Sequence, residues 1–322
     1  MPPYRFEIGF RTSQRPAFYI ETPTVEEVLS EGHTLTLRSR NAGKVSGIGS
    51  IRQDSEFLLE SSGYRDEQDA RTTGERVRYA LKACSSVLGV GVDWSSSGPG
   101  TIFSDMCPEQ CQLKREKRSH ERGHGLIVRD EAQGGGGLGF SGMSVVIRRG
   151  SEQILAKIAA FQRSLPPPDE KSKMAIDLFS LSFFLSPARV RFLVMMMAVE
   201  SFLSPETRPD DERAILKAML ELPALESIDP GRSERLRSAV RTLERESVRQ
   251  AGRKFVQRHL GDAEFDHPET GQRVLCSSFW MECYEIRSKL AHGRAAEPKS
   301  LQRGIGQLEE MLKQLFRVLF PC

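Results

Sequence analysis

The pattern of apolar and polar positions divides the chain into two halves. In the first, β-branched and aromatic residues fall in short, partly alternating runs, which predict strands over Arg5 to Phe10, Ala17 to Glu21, His33 to Arg38 and Glu56 to Glu60. One helix is predicted from Asp66 to Val87, where Val77, Ala80, Leu81, Cys84 and Val87 recur at helical spacing. Leu88 to Val92 reads as a buried strand, Leu126 to Val128 and Ser144 to Arg149 as short strands, and the glycine run Gly134 to Gly137 as a loop. A domain boundary is expected near Gly150.

After that point the period changes to helical. Helices are predicted over Glu152 to Leu165, stopped by Pro166 to Pro168, and over Lys173 to Leu185. Ser186-Pro187 reads as an N-cap and first-turn pair for a third helix through Phe192, Met196 and Phe202. That helix is apolar on most faces and is expected at the centre of a bundle. Further helices are predicted over Asp211 to Leu222, Ser233 to about Val256 and Leu275 to His292, with Gly293 as terminator. In the last helix Ile305, Leu308, Leu312, Leu315 and Leu319 form the seam of a helix–helix contact. The fold class is therefore α+β: a β-rich mixed domain over residues 1–150, then an all-α bundle over 151–322.

Composition changes this picture little. With 322 residues there is length for two ordinary domains. A net charge of +3 neither demands nor excludes a nucleic-acid partner, so local clusters must carry that case. The N-terminus shows no basic stretch followed by an apolar run, and the most apolar segment, Phe192 to Leu203, is shorter than the roughly 20 residues that span a bilayer. Six scattered cysteines form no framework, so a cytoplasmic protein without membrane contact is the expectation. Cys276 and Cys283 read as small core residues. The run at Gly134 lacks a following Lys-Ser or Lys-Thr, and Gly89-Val90-Gly91 lacks a third glycine, so neither a nucleotide-driven motor nor a dehydrogenase is indicated.

The candidate chemistry lies in Cys283-Tyr284-Glu285-Ile286-Arg287-Ser288-Lys289-Leu290-Ala291-His292-Gly293, an Arg-x4-His at the end of an apolar-periodic helix. Spacing alone has little force. Arg115 with His120 repeats it, and Arg118 with His124 and Arg253 with His259 match a looser form, so four of the six histidines satisfy some version. Context singles out Arg287 and His292, because only they end such a helix within the all-α half. An imidazole exchanges protons near neutral pH, and a guanidinium stays charged and grips phosphate oxygens through two N–H groups. Five residues along an ideal helix correspond to about 140° of rotation and about 7.5 Å of rise. The two side chains therefore converge only if the helix ends at His292 or the cleft is shared between chains.

This stretch resembles the Apea-like HEPN family: a tyrosine before the arginine, a small polar residue after it, and glycine after the histidine. Upstream, Ala188-Arg189 leading to Met197-Ala198-Val199-Glu200-Ser201-Phe202-Leu203 is similar to that family's central helix with its acidic residue. The resemblance covers residues from about 150 to the C-terminus. It implies a HEPN-like helical bundle and metal-independent endoribonuclease activity, with His292 as acid–base, Arg287 as phosphate stabiliser, and Tyr284, Ser288 and Glu200 in support. It also implies RNA as partner, a homodimer with the cleft at its interface, 2′,3′-cyclic phosphate ends, no cofactor, and a role in antiviral defence or stress. HEPN-like bundles also occur as non-catalytic RNA- or nucleotide-binding or dimerisation modules. In that reading Arg287 pairs with Glu200 or Glu285, His292 caps the helix, and Tyr284 is a packing residue.

Two further signals remain. Arg237, Arg241, Arg245, Arg249 and Arg253 recur every fourth residue, and nine basic residues face three glutamates between Arg232 and Arg258. On one long helix they would trace a gentle spiral able to follow a phosphate backbone, or simply form a solvated face. Cys107, Cys111, His120 and His124 are two soft ligands followed by two imidazoles, a set able to hold tetrahedral zinc or an ordinary exposed basic loop.

Overall fold

The computed structural model describes residues 3–13, 24–29, 32–39, 56–94, 125–130, 151–164 and 169–320. The strands expected at Ala17 to Glu21 and Ser144 to Arg149, the glycine run, and the set Cys107, Cys111, His120 and His124 lie outside them. The chain forms two compact units, Met1–Phe184 with Phe320–Cys322, and Leu185–Leu319. Its class is α+β. No helix among the described residues is long and apolar enough to cross a membrane.

In the first unit a six-stranded antiparallel sheet contains β1 (Tyr4–Thr12), β2 (Thr24–Val28), β3 (Thr34–Ser39), β4 (Glu56–Tyr64), β5 (Val92–Asp93) and β6 (Gly125–Asp130). Its order is β2-β3-β4-β1-β5, and β6 also pairs with β1. The alternation read in the sequence is the reason β1 is central: Phe6, Ile8 and Phe10 are all buried, opposite Ser61, Leu59 and Phe57 of β4. The Phe10 and Phe57 rings stack at 5.5 Å.

Helix α1 (Glu67–Leu88) follows β4. The Asp66 side chain caps it, accepting the Asp69 N–H at 2.8 Å. Its buried residues Ala70, Val77, Ala80, Leu81 and Cys84 keep one face inward. The strand expected over Leu88 to Val92 is mostly not formed. Leu88 is the last helical residue, Gly89 takes the left-handed conformation (φ 71°) that closes the helix, and only Val92–Asp93 pairs with β1.

Two more helices belong to this unit, α2 (Ser151–Ser164) and α3 (Glu170–Ser182). The unit therefore runs past the boundary expected near Gly150. The reason is tertiary: α2 packs on α1 and β2, and α3 packs on α1 and β5. Ser180 Oγ accepts the Val92 N–H at 2.8 Å and donates to the Val92 carbonyl at 2.9 Å, while Lys82 pairs with Asp177. Gly91 sits so close to this junction that a Cβ there would lie 2.7 Å from Phe183 Cβ.

The second unit contains α4 (Ala188–Glu200), α5 (Asp210–Leu220), α6 (Pro230–Thr242), α7 (Val248–Leu260), the hairpin β7 (Glu264–Asp266) with β8 (Arg273–Leu275), α8 (Cys276–Ala291) and α9 (Pro298–Leu319). The last helix, α9, is the spine. Ile305, Leu308, Leu312 and Leu315 are buried as their spacing predicts, against α4, α7, α8 and β7. The apolar character of α4 overstates its burial. Phe192, Met195, Met196 and Val199 are buried, but Val190 and Met197 are exposed. Ser186 does not cap α4, whose N-cap is Pro187 with no side-chain bond. Cys276 and Cys283 are buried free thiols, as expected of core residues, and burial raises the Cys283 pKa well above the ordinary thiol value.

Candidate functional site

The amphipathic pattern of α8 buries Phe279, Trp280, Cys283 and Ile286, and leaves Tyr284, Arg287 and Ser288 half-buried beside them. Glu200 is the last residue of α4, which packs on α8. Arg287 Nε lies 3.1 Å from Glu200 Oε1, and Arg287 Nη2 donates to Glu200 Oε2 at 3.3 Å. The first contact is too far off line to count as a hydrogen bond, so Glu200 Oε1 is buried without a donor. One turn earlier, the Tyr284 ring centroid is 5.7 Å from the Arg287 guanidinium carbon. Arg287 is thus aimed by a carboxylate and an aromatic face, yet remains 33% exposed, with Nη1 bonded to no described residue.

His292 is the C-cap of α8, at φ −90° and ψ 15°. Its N–H donates to the Ser288 carbonyl at 3.1 Å, and Gly293 follows with φ 71°. The Arg294 N–H returns to the Lys289 carbonyl at 2.8 Å, which completes the helix terminus. The helix therefore ends one residue before the histidine, and the imidazole is exposed, with no hydrogen bond to a described residue. Arg287 and His292 occupy one helix end, the first anchored and the second open.

The long basic helix expected over Ser233 to Val256 is two helices. Leu243 caps α6, and Ser247 opens α7 by accepting the Gln250 N–H at 3.2 Å. Between them the strand-like segment 206–208 inserts. Arg208 donates its N–H to the Glu244 carbonyl and its Nε to the Leu243 carbonyl, Thr207 bridges Arg245, and the Glu206 N–H donates to Glu246 Oε1 at 3.1 Å. The five arginines consequently trace no single spiral. Arg237 and Arg241 lie on α6, Arg245 in the break, and Arg249 and Arg253 on α7. Arg241 pairs with Glu234 at 2.9 Å, and Arg249 with Glu285 of α8 at 2.7 Å. Arg253 opens into a cleft of about 580 Å³ that Arg208, Glu212, Gln250 and Lys254 also line.

The tie between segment 206–208 and α7 was not visible in the sequence, because Glu206, Glu246 and Lys254 are far apart along it. Glu246 is nearly buried. Burial works to raise its pKa, but Lys254 Nζ at 2.7 Å and the Glu206 N–H outweigh that and hold it below the usual carboxylate value. A depressed carboxylate stabilises the fold above its unfolded pKa and loses that contribution as pH falls through the folded one. Glu246→Gln should therefore cost about 1–2 kcal/mol near neutral pH and progressively less below the ordinary glutamate pKa. Urea unfolding of both proteins across that range measures it. An equal cost at every pH would refute the ionic origin.

Among the described residues no group of three or more His, Cys, Asp or Glu is placed to hold a metal ion. The looser pair Arg253 and His259 offers less than Arg287 and His292. His259 packs on the Phe255 ring at 4.6 Å, and burial, with Arg258 nearby, lowers its pKa. No family model, no curated protein and no solved structure matches the chain.

Proposed function

We propose that this protein is a metal-independent endoribonuclease of the HEPN type, acting as a homodimer in the cytoplasm in defence or stress response. The observation that carries the reading is the end of α8, where Arg287 is held by Glu200 with Nη1 uncommitted, and His292 stands exposed just beyond the last helical turn. The reaction needs only these parts. A proton leaves the 2′-hydroxyl, its oxygen attacks the adjacent phosphorus, and the 5′-oxygen departs with a proton. The products are a 2′,3′-cyclic phosphate and a 5′-hydroxyl. His292 moves the proton, and Arg287 neutralises the charge that gathers on the phosphorane oxygens. Tyr284 faces the guanidinium and Ser288 supports the same helix end, and Arg249 and Arg253 supply positive charge toward the RNA backbone. Residues 1–150 sense a trigger, restrain the nuclease or help to choose its substrate.

The Arg287–Glu200 pair favours a second reading, a non-catalytic RNA- or nucleotide-binding or dimerisation bundle, since the carboxylate already satisfies part of the guanidinium. Incubation with varied RNAs in EDTA, followed by analysis of the product ends, separates the two. Fragments with cyclic phosphate ends support the nuclease, and salt-sensitive RNA binding without cleavage supports the binding module.

A further inference from the structure

The turn of the β7–β8 hairpin is closed by a histidine side chain. His267 Nδ1 accepts the Glu269 N–H at 3.1 Å and the Thr270 N–H at 3.3 Å. Two backbone bonds surround these, from the Gly271 N–H to the His267 carbonyl at 2.9 Å and from the His267 N–H to the Gln272 carbonyl at 2.8 Å. Gly271 supplies the left-handed residue that the turn requires, at φ 74°. Asparagine or aspartate commonly opens such a turn, because its side-chain oxygen accepts backbone N–H groups two residues on. An imidazole can do the same only while Nδ1 keeps a free lone pair.

That role fixes the tautomer. Nδ1 is bare, so the hydrogen of the neutral ring sits on Nε2, which lies 3.6 Å from Glu282 Oε2 of α8. An added proton therefore has one place to go, the nitrogen that holds the turn. Once there, it sets an N–H against two N–H donors, and both bonds are lost. The side chain is only 18% exposed, so water replaces those bonds poorly.

The charged neighbours pull in both directions. Glu282 favours the imidazolium. Within the hairpin, Asp266 is already engaged by Gln307 of α9 and by Arg273. Arg303 of α9 opposes the proton, held beside the ring by the Pro268 and Glu269 carbonyls at 3.0 and 2.9 Å. The Glu269 carboxylate is directed to Lys289 of α8, at 3.9 Å. Lys289 belongs to the last turn of α8, and its carbonyl accepts the Arg294 N–H that completes the helix terminus.

We propose that His267 makes the β7–β8 turn a proton-sensitive latch, closed while the imidazole is neutral and released when Nδ1 takes a proton. Acidification then loosens the tie between Glu269 and Lys289, at the end of α8 that carries Arg287 and His292. The latch rests on the turn alone, whether or not the protein cleaves RNA.

Amide hydrogen exchange of the full chain, followed by NMR and corrected for the intrinsic effect of pH on exchange, reads the latch. In wild type the Glu269 and Thr270 amides should lose roughly tenfold or more of their protection between about pH 8 and about pH 5, the span over which imidazoles change charge. Amides in the middle of α9 should keep theirs. His267→Asn retains an acceptor that does not titrate, and should hold both turn amides protected across the whole range. His267→Ala removes the acceptor and should leave them unprotected throughout. Should the alanine variant fail to fold, wild type against His267→Asn decides alone. Equal protection of the wild-type amides at both ends of the range overturns the proposal. So does a His267→Asn protein whose turn amides exchange freely near pH 8, or lose protection toward pH 5 as wild type does. The ring itself gives a further check, since nitrogen shifts placing its hydrogen on Nδ1 near pH 8 would also overturn it.

Discussion

His292→Ala should lower the rate of RNA cleavage in EDTA by about 10²–10⁴-fold, the usual loss when a positioned proton-transfer group is removed. The exposed ring at the α8 C-cap makes no hydrogen bond that the fold depends on, so this variant should unfold in urea as wild type does. Arg287→Ala should abolish cleavage to a similar degree but also weaken the fold, because it strands the Glu200 carboxylate, which is mostly shielded from water. Arg287→Lys separates these effects. An ammonium can still neutralise Glu200, but it lacks the planar fork that holds a carboxylate on one side while offering a free N–H to phosphate. Near-normal stability with cleavage still impaired is the expected result. Cleavage that survives both alanine variants would remove the active site from α8.

The largest loss of stability is expected at the crossing of α7 and α8. Trp280 is fully buried, and its indole N–H donates to the Arg249 carbonyl at 2.9 Å. The ring lies against Gly252 so closely that a Cβ at that position would fall 2.3 Å from Trp280 Cε2. Trp280→Ala should cost about 3–5 kcal/mol, as truncation of a buried aromatic generally does. Gly252→Ala gains about 1 kcal/mol in helix propensity. It must also push the indole off its position, an overpacking that costs about 1–3 kcal/mol, so the net effect is smaller and destabilising. Chemical denaturation of the full chain measures both. If Gly252→Ala were stabilising, the ring would have room the structure does not show. Because α7 carries Arg249 to Glu285 and α8 carries Arg287, Trp280→Ala should also loosen the candidate site.

The gap between reading and structure is clearest in the basic segment. From Ser233 to Val256 the arginines recur every fourth residue, and nothing in that periodicity announces a break. The break is imposed by residues some forty positions earlier. Segment 206–208 needs partners for its backbone and takes the Glu244 carbonyl, the Leu243 carbonyl and the Glu246 side chain, which Ser247 then follows as a ready N-cap. Local signals for that stop existed in Ser247 alone, a common residue type that rarely decides by itself. The β7–β8 hairpin was missed for a similar reason. It has only three residues in each strand, too few for a period to register.

Where a segment chooses its own conformation, sequence by itself was sufficient. The alternation in β1, the heptad-like seam of α9 and the Gly293 terminator act within one or two turns, and each is where the pattern placed it. The candidate pair of Arg287 and His292 was legible for the same reason, being five residues apart at one helix end. Tertiary structure alone decided that α2 and α3 join the sheet, that Glu200 rather than Glu285 holds Arg287, and that Ile215 on α5 and Leu236 on α6 stay exposed. Those outcomes depend on which faces meet across many residues, and burial of a face is a property of its neighbour as much as of its own sequence.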